Sequence, residues 1–239
     1  MSRAAAKERR RDAIVAAART LLREAGSAGL AMRALAERAQ VSTATPYNLF
    51  GSKRAVVNAI LDAELERFRA AVARAPGDDL TRLFQAVSCA REIYASDEAF
   101  YRALLLAAYG EGGRDYRSLF GGRNHAIWRE LVQRAARAGD LKADTDPDAL
   151  ALVLEHLLFS IIIEWALGEL PLDELELRAQ FGFALVLQGA AAADRGPALA
   201  ERATALQGRL RGLWHSRGAA ARPEPQDGAA VASTADDSS

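Results

Sequence analysis

Apolar side chains recur at helical spacing along nearly the whole chain, and no segment shows sustained alternation with a period of two. The first such segment covers residues 7–25. Its apolar positions are Ile14, Ala17, Ala18, Leu21, Leu22 and Ala25, which follow an i, i+3, i+4, i+7 pattern. Two shorter helical segments follow at residues 32–39 and 43–49. This patterning predicts an all-α protein.

A long amphipathic helix is predicted from Ser52, a good N-cap residue, to the Pro76–Gly77 pair. Its apolar face is formed by Val57, Leu61, Leu65, Phe68 and Val72, at intervals of three or four residues. We place the domain boundary in this region, with an N-terminal domain over 9–69 and a second domain over 70–215. The helix itself would link the two domains mechanically.

Six further helices are predicted, near residues 79–95, 97–109, 115–138, 147–168, 172–193 and 197–215. Residues 216–239 are rich in Ala, Pro, Gly, Ser and Asp and are predicted to be a disordered tail. The segment 150–167 is apolar enough to raise the question of a membrane. Because Glu155, His156 and Glu164 would be costly in hydrocarbon, we expect a buried helix and no membrane partner.

Charge divides the chain into two unequal parts, although the 31 basic and 31 acidic residues cancel overall. Residues 1–75 hold 14 Lys or Arg and 7 Asp or Glu, whereas residues 76–239 hold 17 and 24. This asymmetry indicates a basic module for a polyanion joined to an acidic body with another task. The alternative is chance clustering on solvated helix faces.

Several classes of function lack support in the residues. Cys89 is the single cysteine of the chain, which excludes an internal disulfide, and no Cys/His cluster has zinc spacing. No nucleophile–base set or phosphate-binding loop stands out, so we expect no enzyme, no cofactor and no metal. The N-terminus lacks the apolar stretch of a signal peptide, and we therefore expect a cytoplasmic protein.

The stretch VSTATPYNLFGSK, residues 41–53, contains Pro46 where a helix is otherwise predicted. If Thr43 is the N-cap, Pro46 is the third helical residue and costs no hydrogen bond, whereas a cap at Ser42 would cost about one. Two short helices joined by a tight turn, within a basic region, indicate a helix-turn-helix over residues 32–50. The second helix would expose Thr43, Ala44, Thr45 and Asn48 for base edges in the major groove.

At these positions the chain resembles the tetracycline repressor (TetR) family of bacterial transcription regulators. The residues that match the family pattern are Leu35-Ala36, Val41-Ser42, Tyr47, Phe50 and Lys53, and the spacing match extends over residues 9–60. Two positions depart from the pattern. Gln40 stands where the family has Gly in the turn, so a non-Gly residue is expected to adopt a positive φ. Pro46 replaces an aliphatic residue.

The resemblance implies a three-helix N-terminal DNA-binding domain, preceded by a basic arm at residues 1–8. It also implies the contacts with double-stranded DNA, which we assign to Arg33, Ser42, Thr43, Ala44, Thr45, Tyr47, Asn48 and Lys53, with Arg9, Arg10 and Arg11 on the backbone or in the minor groove. Tyr47 and Lys53 would bind phosphates. The alternatives are that Tyr47 is core packing and that the three arginines are a solvated helix start.

For the C-terminal domain the resemblance implies dimerisation and binding of a small-molecule effector. Helices 147–168 and 172–193 would pair two subunits on a two-fold symmetric operator; alternatively they form only the core of the monomer. The expected ligand-binding residues are Phe84, Tyr94, Tyr101, Tyr109, His125, Trp128, His156 and Phe159, although aromatic residues at helical spacing are also plain core. The implied function is a homodimeric repressor released by its ligand. The alternatives are a helical small-molecule carrier and a ligand-responsive activator with generic DNA affinity.

Overall fold

The protein is all-α, as predicted. The computed structural model describes residues 2–110 and 122–220, which contain ten α-helices and a 3₁₀ turn at Ser27–Gly29. The helices are α1 (Arg3–Ala25), α2 (Met32–Arg38), α3 (Ala44–Phe50), α4 (Lys53–Arg74), α5 (Asp79–Ala95), α6 (Glu98–Gly110), α7 (Arg123–Arg137), α8 (Pro147–Leu167), α9 (Leu172–Ala190) and α10 (Gly196–Ala220). Within the described residues no β-strand occurs, and one isolated bridge joins Leu141 to Ala191.

The ends of the chain differ from the prediction. Helix α1 begins at Arg3 because the Ser2 hydroxyl caps it, accepting from the Ala4 N–H at 3.2 Å, so residues 3–8 belong to α1 and form no separate arm. Helix α10 extends through Ala220, past the predicted start of the tail at residue 216, and Arg217 pairs there with Glu174. The remaining tail, 221–239, and the first part of the predicted helix 115–138 lie outside the described residues.

Helices α1, α2, α3 and the first turns of α4 form a small N-terminal module. Its core is built from the predicted apolar face of α1 together with α2 and α4, and includes Ile14, Leu22, Leu30, Leu35, Val56 and Ile60, all at most 1% exposed. Ala25, predicted on the same face, is exposed in the last turn of α1. Fully buried aliphatic side chains of this kind supply most of the module's stability, at about 1.5–3 kcal/mol each.

Helix α4 connects the module to the body, as the sequence predicted. It packs on α1 at one end and on α5 and α6 at the other. Val57, Phe68 and Val72 of its apolar face are buried, whereas Leu61 and Leu65 are half-buried because they line a cavity. A displacement of α4 would therefore reach both parts of the molecule.

The body packs helices α5 to α10 around an aromatic core. Trp128 on α7 lies between Phe68 of α4 and Phe183 of α9, with ring centroids 6.4 and 5.5 Å away. Helix α10 covers α9 through Leu199, Ala203, Leu206 and Leu210, the spacing read from the sequence. Near the C-terminal end of α10, the Trp214 indole donates to Glu174 of α9 at 2.9 Å. Glu174 is only 1% exposed and also pairs with Arg178.

Helix α8 is long and apolar enough to cross a membrane by length and composition, and 56% of its apolar window is buried inside the protein. That share matches the predicted role as a packed helix. Gly182 on α9 permits a close approach to α8, since a Cβ there would lie 2.6 Å from Leu157 Cδ1. This glycine therefore serves the packing of α9 against α8 within the chain.

Candidate nucleic-acid interface and ligand cavity

The turn between α2 and α3 is a Schellman motif formed without glycine. The Val41 N–H donates to the Ala36 carbonyl at 3.0 Å, and the Gln40 N–H donates to the Glu37 carbonyl at 3.2 Å. Gln40 itself has φ of +55°, the only positive value at a non-Gly residue in the described chain. The predicted strained conformation is confirmed, and the bonds that close the turn offset its cost.

Proline 46 fits the opening turn of α3 because Thr43 is the flanking residue and Pro46 is the third helical one. No intrahelical hydrogen bond is lost there. The Ser42 carbonyl accepts from the Thr45 N–H at 2.9 Å, and the two hydroxyls of these residues lie 2.8 Å apart. Pro46 is also buried, so it anchors the helix inward, a packing role that the sequence did not reveal.

The opposite side of α3 faces solvent. Ser42, Thr43, Ala44 and Asn48 are exposed, and Thr45 is half-buried. Tyr47 is 56% exposed, which rules out the interpretation of this ring as core packing. The exposed set combines hydroxyl, amide and methyl groups at a helix N-terminus, which is the chemistry that reads base edges and thymine methyls in a major groove.

Basic residues flank this face. The Arg33 side chain is 84% exposed at the start of α2 and lies 2.9 Å from Glu37. Lys53 is half-buried in the first turn of α4, which Ser52 caps by accepting from the Ala55 N–H at 3.2 Å. Lys53 therefore stands at the N-terminus of α4, a helix end whose backbone N–H groups favour an anion such as a phosphate.

The three consecutive arginines of α1 have different surroundings. Arg9 and Arg10 are exposed on the helix. Arg11 instead donates to the Leu49 carbonyl at 2.8 Å, and its guanidinium lies 4.4 Å from the centre of the Phe50 ring. Its position therefore fastens the C-terminal end of α3 to α1, so a supporting role fits Arg11 better than a place in a DNA-binding arm.

The body encloses a cavity of about 110 Å³ between α4, α5, α6, α7 and α8. Most of its wall is apolar, and six aromatic side chains contribute to it: Phe68, Tyr94, Tyr101, Tyr109, Trp128 and Phe159. Five of these belong to the eight ligand-binding residues predicted from the sequence. A mostly apolar cavity with a few polar groups is the usual form of a small-molecule site.

The other three predicted residues are not in the cavity wall. Phe84 is buried elsewhere, with its ring 3.8 Å below the Arg202 guanidinium of α10. His156 is exposed on the outer face of α8. His125 stands behind the wall, where its Nδ1 lies 2.9 Å from Glu155. Helical spacing could not separate these orientations, because residues on one helix face different neighbours.

The polar part of the wall contains two carboxylates. Glu155 is 3% exposed. Its Oε2 contacts His125, and its Oε1 accepts from the Asn124 amide at 2.8 Å. Glu64 of α4 contributes the other carboxylate. Burial and the neighbouring Glu64 carboxylate raise the pKa of Tyr101 to about 12, and burial also raises the pKa of Tyr94, so both phenols stay protonated over the physiological range.

Glu64 also joins the cavity to the N-terminal module. One of its oxygens accepts from Arg19 of α1 at 2.5 Å, and the other accepts from the Tyr101 hydroxyl at 2.5 Å. Arg67 donates to the same hydroxyl at 3.1 Å. A second link lies nearby, where Arg23 of α1 pairs with Asp97 at 2.5 Å. These contacts form a continuous chain from the cavity wall to α1.

Among the described residues no group of three or more His, Cys, Asp or Glu side chains is placed to hold a metal ion. His125 and Glu155 are hydrogen-bonded beside the cavity, but the described part of the wall adds no nucleophile to them. The cavity wall is suited to binding a small molecule, and the contacts of Glu64 connect this wall to α1.

Residues 14–60 match the sequence profile of bacterial regulatory proteins of the tetR family. No curated protein matches the chain. Several solved structures share its fold at low sequence identity. The TetR-family repressor FadR of Thermus thermophilus, solved with lauroyl-CoA, is 23% identical and has a TM-score of 0.62, with 75% of this chain and 94% of FadR aligned.

Two other structures agree over a longer part of the chain. RolR, solved with resorcinol, is 16% identical with a TM-score of 0.64, over 84% of this chain and 96% of RolR. CprB of S. coelicolor, a TetR-family protein, is 16% identical with a TM-score of 0.55, over 83% and 97%. Residues 14–60 thus match the tetR-family profile, and most of the chain shares its helical fold with solved structures of TetR-family proteins.

Proposed function

We propose that this protein is a homodimeric DNA-binding repressor that leaves its operator when a small molecule occupies the cavity. The observation that carries the proposal is the exposed polar face of α3, held by the turn at Gln40 and by the buried Pro46. Thr43, Ala44, Thr45 and Asn48 read bases, while Arg33, Ser42, Tyr47 and Lys53 contact the backbone. Arg9 and Arg10 extend the backbone contacts along α1.

The outer faces of α8 and α9 support the dimer. Leu152, Val153 and Leu167 on α8 and Leu185 on α9 are each 44–54% exposed, although they are large and apolar. An apolar patch of this kind on a folded protein marks an interaction surface. A symmetric partner covers it with the same surface, and the dimer presents two copies of α3 to successive major grooves.

The chain of contacts through Glu64 supports release by a ligand. A ligand can release DNA only if it binds the DNA-free conformation more tightly than the bound one. Occupation of the cavity displaces Tyr101, which withdraws a hydrogen bond from Glu64 and weakens its hold on Arg19. Helices α1 and α4 then shift together, and the two copies of α3 no longer match the groove spacing. FadR and RolR were each solved with a small molecule bound, which fits this use of the fold.

In vitro selection from random duplex DNA, at low and at physiological salt, tests the proposal. We expect enrichment of a two-fold symmetric site that survives the higher salt, since base contacts add to the phosphate contacts that salt weakens. Weak binding that vanishes with salt would contradict it. Light scattering gives the dimer test: we expect a dimer at micromolar concentration, and Val153→Asp should yield a monomer, whereas Glu130→Gln on the exposed side of α7 should not.

A further inference from the structure

The two carboxylates of the cavity wall differ in how their charges are compensated. Glu64 is paired with Arg19 at 2.5 Å and with Arg67 at 3.7 Å, so two guanidinium groups balance it. The neighbours of Glu155 within the described residues are the Asn124 amide and the His125 ring. Neither is a permanent cation. Glu155 is thus a carboxylate buried against apolar surface whose described partners carry no fixed positive charge.

A buried carboxylate of this kind is unfavourable unless a positive charge reaches it. The described part of the cavity wall contains no Lys or Arg, so these lining residues offer an anionic group no cationic partner. Six aromatic side chains surround the same space. Aromatic rings attract a cation through the negative faces of their π-systems, and the attraction grows when water is excluded.

From these features we propose that the cavity binds an aromatic amine in its protonated form, with the ammonium group placed on Glu155 and the ring among the aromatic side chains. This inference rests on the proposed function for the location of the site and adds the chemical class of the ligand. The ammonium donates to the Glu155 carboxylate, and Asn124 and His125 hold that carboxylate in position. An aromatic acid placed at the same position faces the Glu155 carboxylate, which has no Arg or Lys partner among the described residues, and is rejected.

Isothermal titration calorimetry on the full-length protein without DNA tests the proposal with three probes of similar size. The probes are benzylamine, which is protonated at neutral pH, the uncharged benzyl alcohol and the anionic benzoate. We expect the amine to bind at least about tenfold more tightly than the alcohol, as a charge-assisted hydrogen bond provides, and the acid to bind most weakly. Equal affinities, or tightest binding of the acid, would overturn the proposal, as would no binding of the amine at millimolar concentration.

The variant Glu155→Gln tests whether Glu155 is the anchor, the residue that holds the ammonium group of the ligand. It keeps the shape of the side chain and should reduce the affinity for the amine about tenfold while leaving that for the alcohol nearly unchanged. Glu130→Gln, a matched change on the outside of α7, should alter neither. An amine preference that persists in Glu155→Gln would show that Glu155 is not the anchor. A circular dichroism melting curve establishes that the variant is folded.

The same calorimetry separates this proposal from the proposed function. If the selection experiment finds no operator but the amine binds through Glu155, the ligand class stands and the regulatory role fails. If an operator is found and the acid binds best, the regulatory role stands and the ligand class is wrong.

Discussion

The N-terminal module and the body place their polar chemistry on opposite sides of their helices. In the module the core is aliphatic and compact, and the side chains suited to a ligand point outward from α3. In the body large apolar side chains are exposed on α8 and α9, whereas carboxylates, phenols and an amide line an internal cavity. The first arrangement suits a large, rigid polyanion that cannot enter the protein. The second suits a small molecule that can be enclosed.

This difference explains how each region responds to change. The module makes its contacts from one short helix, so single substitutions there should alter binding without altering the fold. The cavity shares its residues with the core, so ligand binding and packing are coupled in the body. The contact between Arg19 and Glu64 connects the two regions, so substitutions at this pair test how the regions are coupled.

The largest expected effect on stability concerns the two faces of α9. Phe183 is fully buried against Trp128, whereas Leu185, two residues further, is 49% exposed. Phe183→Ala should lower the free energy of unfolding by about 3–5 kcal/mol, because a large cavity remains. Leu185→Ala should cost little in the subunit itself but weaken the dimer, so its effect should be largest at high protein concentration and shrink on dilution. Urea unfolding at several protein concentrations measures both, and equal losses would remove the distinction between the faces.

The next effect concerns coupling between the regions. Arg19→Gln removes the link from Glu64 to α1 and should leave DNA affinity and ligand affinity separately almost unchanged. The ligand's effect on DNA affinity should fall from the 5–150-fold range of coupled sites toward none. Fluorescence anisotropy of a labelled operator, with and without ligand, measures this. As a control, Arg33→Gln on the outside of the module should weaken DNA binding but keep the effect of the ligand. Ligand-induced release that is unchanged in Arg19→Gln would show that the contact between Arg19 and Glu64 does not couple the two sites.

A smaller effect is expected at the strained turn. Gln40→Gly should raise the free energy of unfolding by about 1 kcal/mol, because glycine adopts the positive φ without steric cost. Gln207→Gly, at an exposed position inside α10, should lower it by about 1 kcal/mol. Thermal unfolding of the two variants should therefore shift in opposite directions. A loss of stability in Gln40→Gly would show that the Gln side chain has a role of its own.

The last effect appears only at high pH and leaves stability at neutral pH unchanged. Because Tyr101 has a folded-state pKa of about 12, above the usual value near 10, its stabilising contribution is complete below pH 10 and is lost as pH rises through 12. Stability should therefore fall more steeply between these values in the native chain than in Tyr101→Phe. If the free energy of unfolding, measured in urea, depends on pH in the same way in both proteins, the burial of this phenol beside Glu64 is contradicted.

Much of the module could be predicted from the sequence because its features are local. The helix pattern, the position of Pro46 in the opening turn and the positive φ at Gln40 all depend on residues within one or two turns of each other. The confirmed bounds of α5 and the Ser52 cap of α4 have the same origin. The inward role of Pro46 and the attachment of Arg11 to Leu49 depend on contacts between helices, and they were not predicted.

The cavity was predicted only in part, since its wall is assembled from five helices. Aromatic residues could be selected by type, and Tyr94, Tyr101, Tyr109, Trp128 and Phe159 do line it. Phe84 has the same chemistry but faces Arg202, and no local pattern separates it from the others. Glu64 carries no local signal of its role, because its partners Arg19 and Tyr101 are distant in the sequence.

Whether α3 reads DNA sequence is the central claim, and the most direct measurement is in vitro selection performed in parallel with three proteins. These are the native chain, Asn48→Ala and Lys53→Ala. The account predicts that Lys53→Ala enriches the same site more weakly, with a salt slope lower by about 1, whereas Asn48→Ala enriches a different sequence. The same preferred site for all three proteins, or no preferred site for the native chain, would contradict it.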